Sequence, residues 1–331
     1  MENFWRAKPV LVTGAGGFIA SHLVEALVMQ EAKVRAFVRY NSRGDLGLLS
    51  LLPPHIQREI EIVAGDLRDQ SAVQQASVGV SHIFHLGALI AIPYSYIHPA
   101  EVVATNINGA LNVLLAARQE GVQRVIHTST SEVYGTALQV PIDENHPLQG
   151  QSPYSASKIG ADKLAESFYR SFDTPVVTIR PFNTYGPRQS ARAVIPTIIA
   201  QALTQDYIKL GNLSARRDLT YVADTVAGFL CVGEVDGIEG ETFNLGSGGE
   251  ICIGDLAQMV IGLIGRDVQV SVDSERLRPE KSEVQRLLAD NSRARRRLDW
   301  QPRVSLEEGL QRTIEWVRQN LDRFLVDKYQ V

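Results

Sequence analysis

The stretch VLVTGAGGFIASHLVEAL, Val10 to Leu27, decides how the chain is read. Three branched apolar residues and a threonine have the look of a buried strand, and the apolar run that follows from Phe18 has helical spacing. Gly14 and Gly17 between them let the backbone turn tightly and come close to a ligand, while a helix opening near Phe18 aims unpaired N–H groups and the positive end of its dipole at the same place. That order suits the pyrophosphate of a dinucleotide, with Ala20 small enough for the helix to lie on the strand. A purely structural bend is the alternative for the motif taken by itself.

Working outward, further short β-branched runs recur at PVLVTG, KVRAFV, IEIVAGD, HIFHLGA, RVIHTS and PVVTIRP. Amphipathic stretches over 18–30, 104–120 and 153–172 separate several of them. Strand and helix in alternation predict an α/β fold, a Rossmann doubly wound parallel sheet. After about residue 181 the rhythm loosens, which predicts a smaller C-terminal substrate-binding lobe. The expected division is a dinucleotide-binding domain of 1–181 plus about 220–250, and a substrate lobe of 182–219 and 251–331. A ligand belongs in the cleft between them.

At 331 residues, 44% of them apolar, the chain can bury a large core, and its net charge of −4 provides no broad basic field for nucleic acid. MENFWRAKPV lacks the basic-then-apolar order of a secretory signal, so the expected setting is cytoplasmic, with no membrane partner. Cys231 and Cys252 are too few for a disulfide framework or metal site and are expected to be small buried residues. The histidines show no metal-ligand spacing, so no metal is expected.

The second strand, KVRAFVRYNSRG, ends beside the place of an adenosine ribose. Arg39 stands where an NAD site offers an acid, with Arg43 nearby; a guanidinium suits a 2′-phosphate and favours NADP slightly, an exposed loop arginine being the alternative. Asp66 and Leu67 close the third strand, where a carboxylate can take the adenine amino group; alternatively Asp66 or Asp69 caps a helix.

The fifth strand runs into HTSTSEVYG, which sets Ser129, Thr130, Ser131 and Glu132 in a row at its end. In SPYSASK, Ser152 is a good N-cap and Pro153 a good first helical residue, so Tyr154 and Lys158 fall one turn apart on one face. The ammonium and a bound nicotinamide cation are expected to lower the phenol pKa toward that of a general base. Taken alone, Tyr and Lys at this spacing are ordinary surface residues.

TGAGGFIA, GDLRD, HLGA, TSTSEVYG, YSASK, RPFNTYGP and RRDLTYVAD, in this order over nearly the whole chain, resemble the extended short-chain dehydrogenase/reductase family, which works on nucleotide sugars. The resemblance adds Phe18, Ile19, Leu86, Gly87, Ala88, Asn106 and Pro181 to the cofactor-binding set, along with Tyr154 and Lys158. It implies NAD(P)+ that stays bound and is recycled. In the family, the residue matching Thr130 holds the sugar 4-hydroxyl and Tyr154 removes its proton. The 4,6-dehydratases follow with an acid or Ser and then Glu, matching Ser131 and Glu132; a carboxylate there can take the C5 proton once C4 is a ketone, water leaves C6, and hydride returns to C6. Ser131, where many dehydratases have Asp, leaves open which group protonates the departing hydroxyl. Glu132 paired with a basic neighbour is the structural alternative.

GPRQSARAVIPTIIAQAL and GNLSARRDLTYVADTVAGF are similar to 4,6-dehydratases of N-acetylhexosamine nucleotides in legionaminic-acid-type pathways. The expected function is therefore a nucleotide-sugar 4,6-dehydratase, probed against UDP- or GDP-linked hexoses and N-acetylhexosamines; UDP-glucuronate decarboxylase and 4-epimerase are the alternatives. The family implies that Asn183, Arg217 and Arg278 hold the substrate diphosphate, salt bridges to Asp218 or Glu280 being the other use of the arginines. It also implies a homodimer through a four-helix bundle of helices 104–120 and 153–172. A redox-sensing regulator on the same fold is a non-catalytic alternative, against which the presence of Thr130, Tyr154 and Lys158 argues.

Overall fold

The computed structural model describes residues 3–324. Its strands β1 (Pro9–Thr13), β2 (Lys33–Arg39), β3 (Ile60–Gly65), β4 (His82–His85), β5 (Arg124–Thr128), β6 (Val176–Pro181) and β7 (Thr242–Leu245) form one sheet in the order β7-β6-β5-β4-β1-β2-β3. Every pairing in it is parallel. Such a sheet is buried on both faces, which is why its strands read as apolar runs. Alternation sorts the side chains: Val10, Val12, Ile126, Val177 and Ile179 join the core on one face, and Leu11, Val125 and Val176 the core on the other.

Helix α1 (Phe18–Met29) and helix α5 (Val222–Glu234) pack together on the first face. On the second lie α2 (Gln70–Ser77), the helical run α3 (Pro99–Glu120) and α4 (Pro153–Phe172). Run α3 begins earlier than its apolar periodicity suggests, because Pro99 supplies a preset first helical residue, and a π turn at Ala104–Asn108 widens it where Asn106 is buried. By length and composition α3 is apolar enough to cross a membrane, yet half of that window is buried, since it packs between α2 and α4 as a core helix.

Beyond β6 the strands are short. Arg216–Arg217 pairs antiparallel with Ile251–Cys252 and parallel with Arg286–Leu287, and Tyr207–Leu210 pairs parallel with Gln269–Val272. The segment after residue 134 crosses to this region: Ile142 bridges Ala289, and Val133, Tyr134, Ile142, Phe182, Val284 and Leu287 share a third core. The cysteines are only half-buried, and Cys252 accepts the Asp255 N–H at 3.4 Å as a helix cap, a use that an apolar reading of cysteine does not foresee.

Candidate active site

At the end of β1, Gly14 adopts φ +66°, and a Cβ there would lie 2.6 Å from the Gly87 Cα. Two bare backbones therefore pass each other between β1 and β4, a close approach that any side chain prevents. Thr13 fixes it: the Gly87 N–H donates to the Thr13 hydroxyl at 3.1 Å, and the same hydroxyl is hydrogen-bonded to His85 Nδ1, 2.8 Å away. Gly17 begins α1 with no side chain capping it, which leaves the first N–H groups, those of Phe18 and Ile19 among them, free for a ligand.

Beside this turn, Gly14, Arg39, Asp66, Leu67, Gly87 and Ala88 line a cavity of about 130 Å³ together with Phe37 and Arg68. The cavity is the size of a nucleobase, and with the glycine cradle and the uncapped helix it fits an adenine dinucleotide. Arg39 is two-thirds exposed, 3.7 Å from Glu101. Arg43 is not among the cavity's residues; it sits in an exposed turn with its N–H on Asn41 Oδ1 at 3.2 Å. Both Asp66 oxygens are taken by the Arg68 guanidinium at 2.6 and 2.9 Å, which holds that carboxyl down at about 2, and the cap of α2 is Asp69. Asn106 acts at one remove: its amide bonds both the N–H and the carbonyl of Leu89 and the Ser157 hydroxyl, tying the loop after Leu86 to α4. Pro181 ends β6.

Ser152 and Ser155 form a reciprocal capping box at the head of α4, and Pro153 follows as its first residue. Tyr154 and Lys158 are both buried on the face turned to β5. The Tyr154 phenol faces Thr130, whose hydroxyl accepts the Glu132 N–H at 3.2 Å and so caps the 3₁₀ turn Ser131–Tyr134. Ser131 is buried in that turn. The protein's own surroundings act against the lowering expected of the phenol pKa. Burial pushes Tyr154 far above the usual range, the nearby Thr130 hydroxyl opposes this, and the charges of Glu132 and Asp162 add to the rise. The Lys158 ammonium meanwhile donates to the Thr128 carbonyl at 2.5 Å, and its own pKa is brought down to about 8 by burial, against the pull of Asp162.

Glu132 is nearly buried, with Arg278 Nη1 4.0 Å away. Arg217 does not pair with Asp218, as one reading of the sequence had it, but with Glu283 Oε1 at 3.3 Å. Asp218 is occupied in accepting the N–H groups of Ser247, Gly248 and Ala289. Arg278 likewise faces Glu132 and not Glu280. Asn183 lies half-buried, its amide donating weakly to the Asp218 carbonyl at 3.4 Å. Glu132, Arg217 and Arg278 are close enough for the acid and the second arginine to shift the first. Among the described residues no group of three His, Cys, Asp or Glu could hold a metal.

Three buried residues here escape a motif-based reading: Thr13, His85 and Asp162. The threonine and histidine flank glycine motifs in TG and HLGA, and Asp162 stands one helical turn beyond Lys158; those spacings are the only signals the chain gives of them. In chemical terms the site offers a dinucleotide cradle, a phenol facing a hydroxyl, an ammonium one helical turn on from the phenol, and a separate carboxylate two residues along from the hydroxyl.

Residues 11–313 match the family model of GDP-mannose 4,6-dehydratase. The chain is 32% identical to the dTDP-D-glucose 4,6-dehydratase of Mus musculus over 95% of its own length and 90% of that protein's. It is also 32% identical to a UDP-glucose 4-epimerase of Mycolicibacterium smegmatis, covering 93% of this chain and 98% of that one. Among solved structures, the dTDP-glucose 4,6-dehydratase DesIV of Streptomyces venezuelae with NAD bound aligns at a TM-score of 0.85 and 29% identity, over 97% of this chain and all of that one.

Proposed function

The chain belongs to the extended short-chain dehydrogenase/reductase family of nucleotide-sugar dehydratases and epimerases, and on that premise we propose that it is an NAD(P)-dependent nucleotide-sugar 4,6-dehydratase. The observation that carries the reading is the nearly buried Glu132 carboxylate, set by the Thr130-capped turn as a second acid–base group beside the Thr130–Tyr154 pair. A 4-epimerase needs only one such group at C4; a 4,6-dehydratase needs another at C5 and C6.

Thr130 holds the sugar 4-hydroxyl, and Tyr154 takes its proton. Burial keeps the phenol weakly acidic, so the positive charge of the cofactor ring is what would bring it within reach as a base. Bound nicotinamide supplies the acceptor for the C4 hydride and the donor for its return to C6. Glu132 removes the C5 proton, acidified by the neighbouring ketone, and delivers a proton to the departing C6 hydroxyl, with Ser131 beside it; when hydride returns to C6, C5 takes up one proton, which balances the one Tyr154 removed from the 4-hydroxyl. Gly14, Gly17, Gly87 and the head of α1 hold the diphosphate of the cofactor. Asn183, Arg217 and Arg278 serve the diphosphate of the substrate, a role suited to forked donors.

The substrate we favour is a UDP- or GDP-linked N-acetylhexosamine or hexose, on the likeness of the 186–203 and 211–229 segments to enzymes of that class. The Arg39 rim supports a slight preference for NADP. We assign residues 1–181 with 220–250 to the cofactor and the remainder to the sugar nucleotide, and we place the protein in the cytoplasm as a homodimer joined through α3 and α4. A second reading, UDP-glucuronate decarboxylation, gains one observation: Arg278 beside Glu132 is a cation able to hold a sugar carboxylate. Incubation with a panel of nucleotide sugars and analysis of product mass tests the proposal. Loss of one water is expected; loss of carbon dioxide, or unchanged mass with inverted C4, overturns it.

A further inference from the structure

Helix α4 grips three consecutive residues of the β5 end with two side chains one turn apart. Lys158 donates to the Thr128 carbonyl, while Asp162 accepts from His127 Nε2 at 3.1 Å through Oδ1 and from the Ser129 hydroxyl at 2.8 Å through Oδ2. Arg180 of β6 adds Nε and Nη2 to the same Oδ2 at 3.2 and 3.0 Å, and its Nη1 reaches the Tyr134 hydroxyl at 2.9 Å. Tyr134 then donates to Asn244 of β7 at 2.7 Å. The carboxylate is about 5% exposed, so a buried anion with four donors stands immediately behind the site.

We propose that Asp162 is a positioning residue for the reaction: its carboxylate keeps the Lys158 ammonium charged and clamps the strand end that presents Thr130 to Tyr154. The inference rests on the dehydratase reading for its consequence in turnover, but not for its electrostatics. The charged and titratable groups facing Lys158 and its neighbours are Asp162 and Tyr154 on the same helix, His127 on β5, His85 on β4, Arg180 on β6 and Glu132 on the 3₁₀ turn. Burial drives both histidines toward the neutral form, with Lys158 adding to the effect. Burial also raises Asp162, but His127, Arg180 and Ser129 outweigh it and hold the carboxyl below its usual range. Asp162 is thus the anion that opposes the loss of the Lys158 proton.

The test is a titration of the Lys158 side chain by NMR in cofactor-free protein carrying 13C-labelled lysine, with the resonance identified by its loss in Lys158→Met. In Asp162→Asn the midpoint is expected to fall by about one pH unit or more, the usual effect of removing a close opposite charge. Ser129→Ala removes a donor from the same carboxylate without removing charge, and the midpoint should stay close to the parent's. Because Asp162 also raises Tyr154, both limbs of the pH profile of first-turnover cofactor reduction should move acidward in Asp162→Asn. A residue that only holds the fold would lower the amplitude and leave the limbs in place.

If Arg180, stranded in Asp162→Asn, prevents folding, the double variant Asp162→Asn/Arg180→Lys keeps the positive charge there on a more adaptable side chain and must show a fall as well. An unchanged midpoint in either folded variant overturns the proposal, and so does a parent midpoint below neutral pH, because Lys158 would then be uncharged with Asp162 in place. Failure of the parent to reduce cofactor with any nucleotide sugar instead overturns the dehydratase reading and leaves the NMR result to judge Asp162.

Discussion

The ends of β1 and β5 flank β4 at the same edge of the sheet, one finished by glycines and the other by hydroxyls and an acid. At Gly14 the site is made by what is missing: a positive φ and a gap of 2.6 Å to the Gly87 Cα where a Cβ would stand. At Thr130 and Glu132 it is made by side chains: Thr130 faces the phenol of Tyr154, and Glu132 has the Arg278 guanidinium 4.0 Å away. The first arrangement binds through backbone groups that need no particular protonation state. The second works only if protons sit on the right atoms. Bulk should therefore disable the β1 end, and charge the β5 end.

Gly14→Val breaks the comparison on its first side and has the largest expected effect. The left-handed φ disfavours a branched residue by about 1–3 kcal/mol, and forcing the Cβ against Gly87 costs about as much again. Thermal unfolding should show the loss, and a nicotinamide dinucleotide should no longer bind in calorimetric titration. A valine variant that binds cofactor as the parent does would mean that the two backbones have room to separate.

Arg39→Asp is the smallest expected effect. The side chain is two-thirds exposed, so its charge is well screened, and reversal should change the ratio of NADP to NAD affinity by about tenfold or less, in favour of NAD. Equal ratios in parent and variant would make Arg39 a solvated neighbour of Glu101 and remove the case for NADP.

What the sequence discloses about these ends follows the same division. Gly14, the apolar strands and the capping box at Ser152 are local features: each shows in a few consecutive residues, through a turn, a period or an S-x-x-S spacing. The state of Tyr154 is not local. The spacing to Lys158 is legible, but the burial that pushes the phenol up depends on how α4 meets β5, and the lysine is turned to the Thr128 carbonyl. Asp162 is hidden for the same reason, since its four donors come from β5 and β6. The partners of Arg217 and Arg278 lie 66 and 146 residues away in the chain, so the nearby acids Asp218 and Glu280 were the natural candidates and the wrong ones. The two-residue strands around them have no period to read.

The central claim is that Glu132 is a second reaction centre, separate from Tyr154. It is tested most directly by following reduced-nicotinamide absorbance and product mass through a single turnover of Glu132→Gln, with Tyr154→Phe alongside. The glutamine keeps the shape of the side chain but cannot accept the C5 proton, so cofactor reduction should proceed while loss of water slows by roughly 10²–10⁴-fold, and reduced nicotinamide should build up. Tyr154→Phe should give neither absorbance nor product. Dehydration by Glu132→Gln at the parent rate, with no build-up of reduced cofactor, would contradict the account.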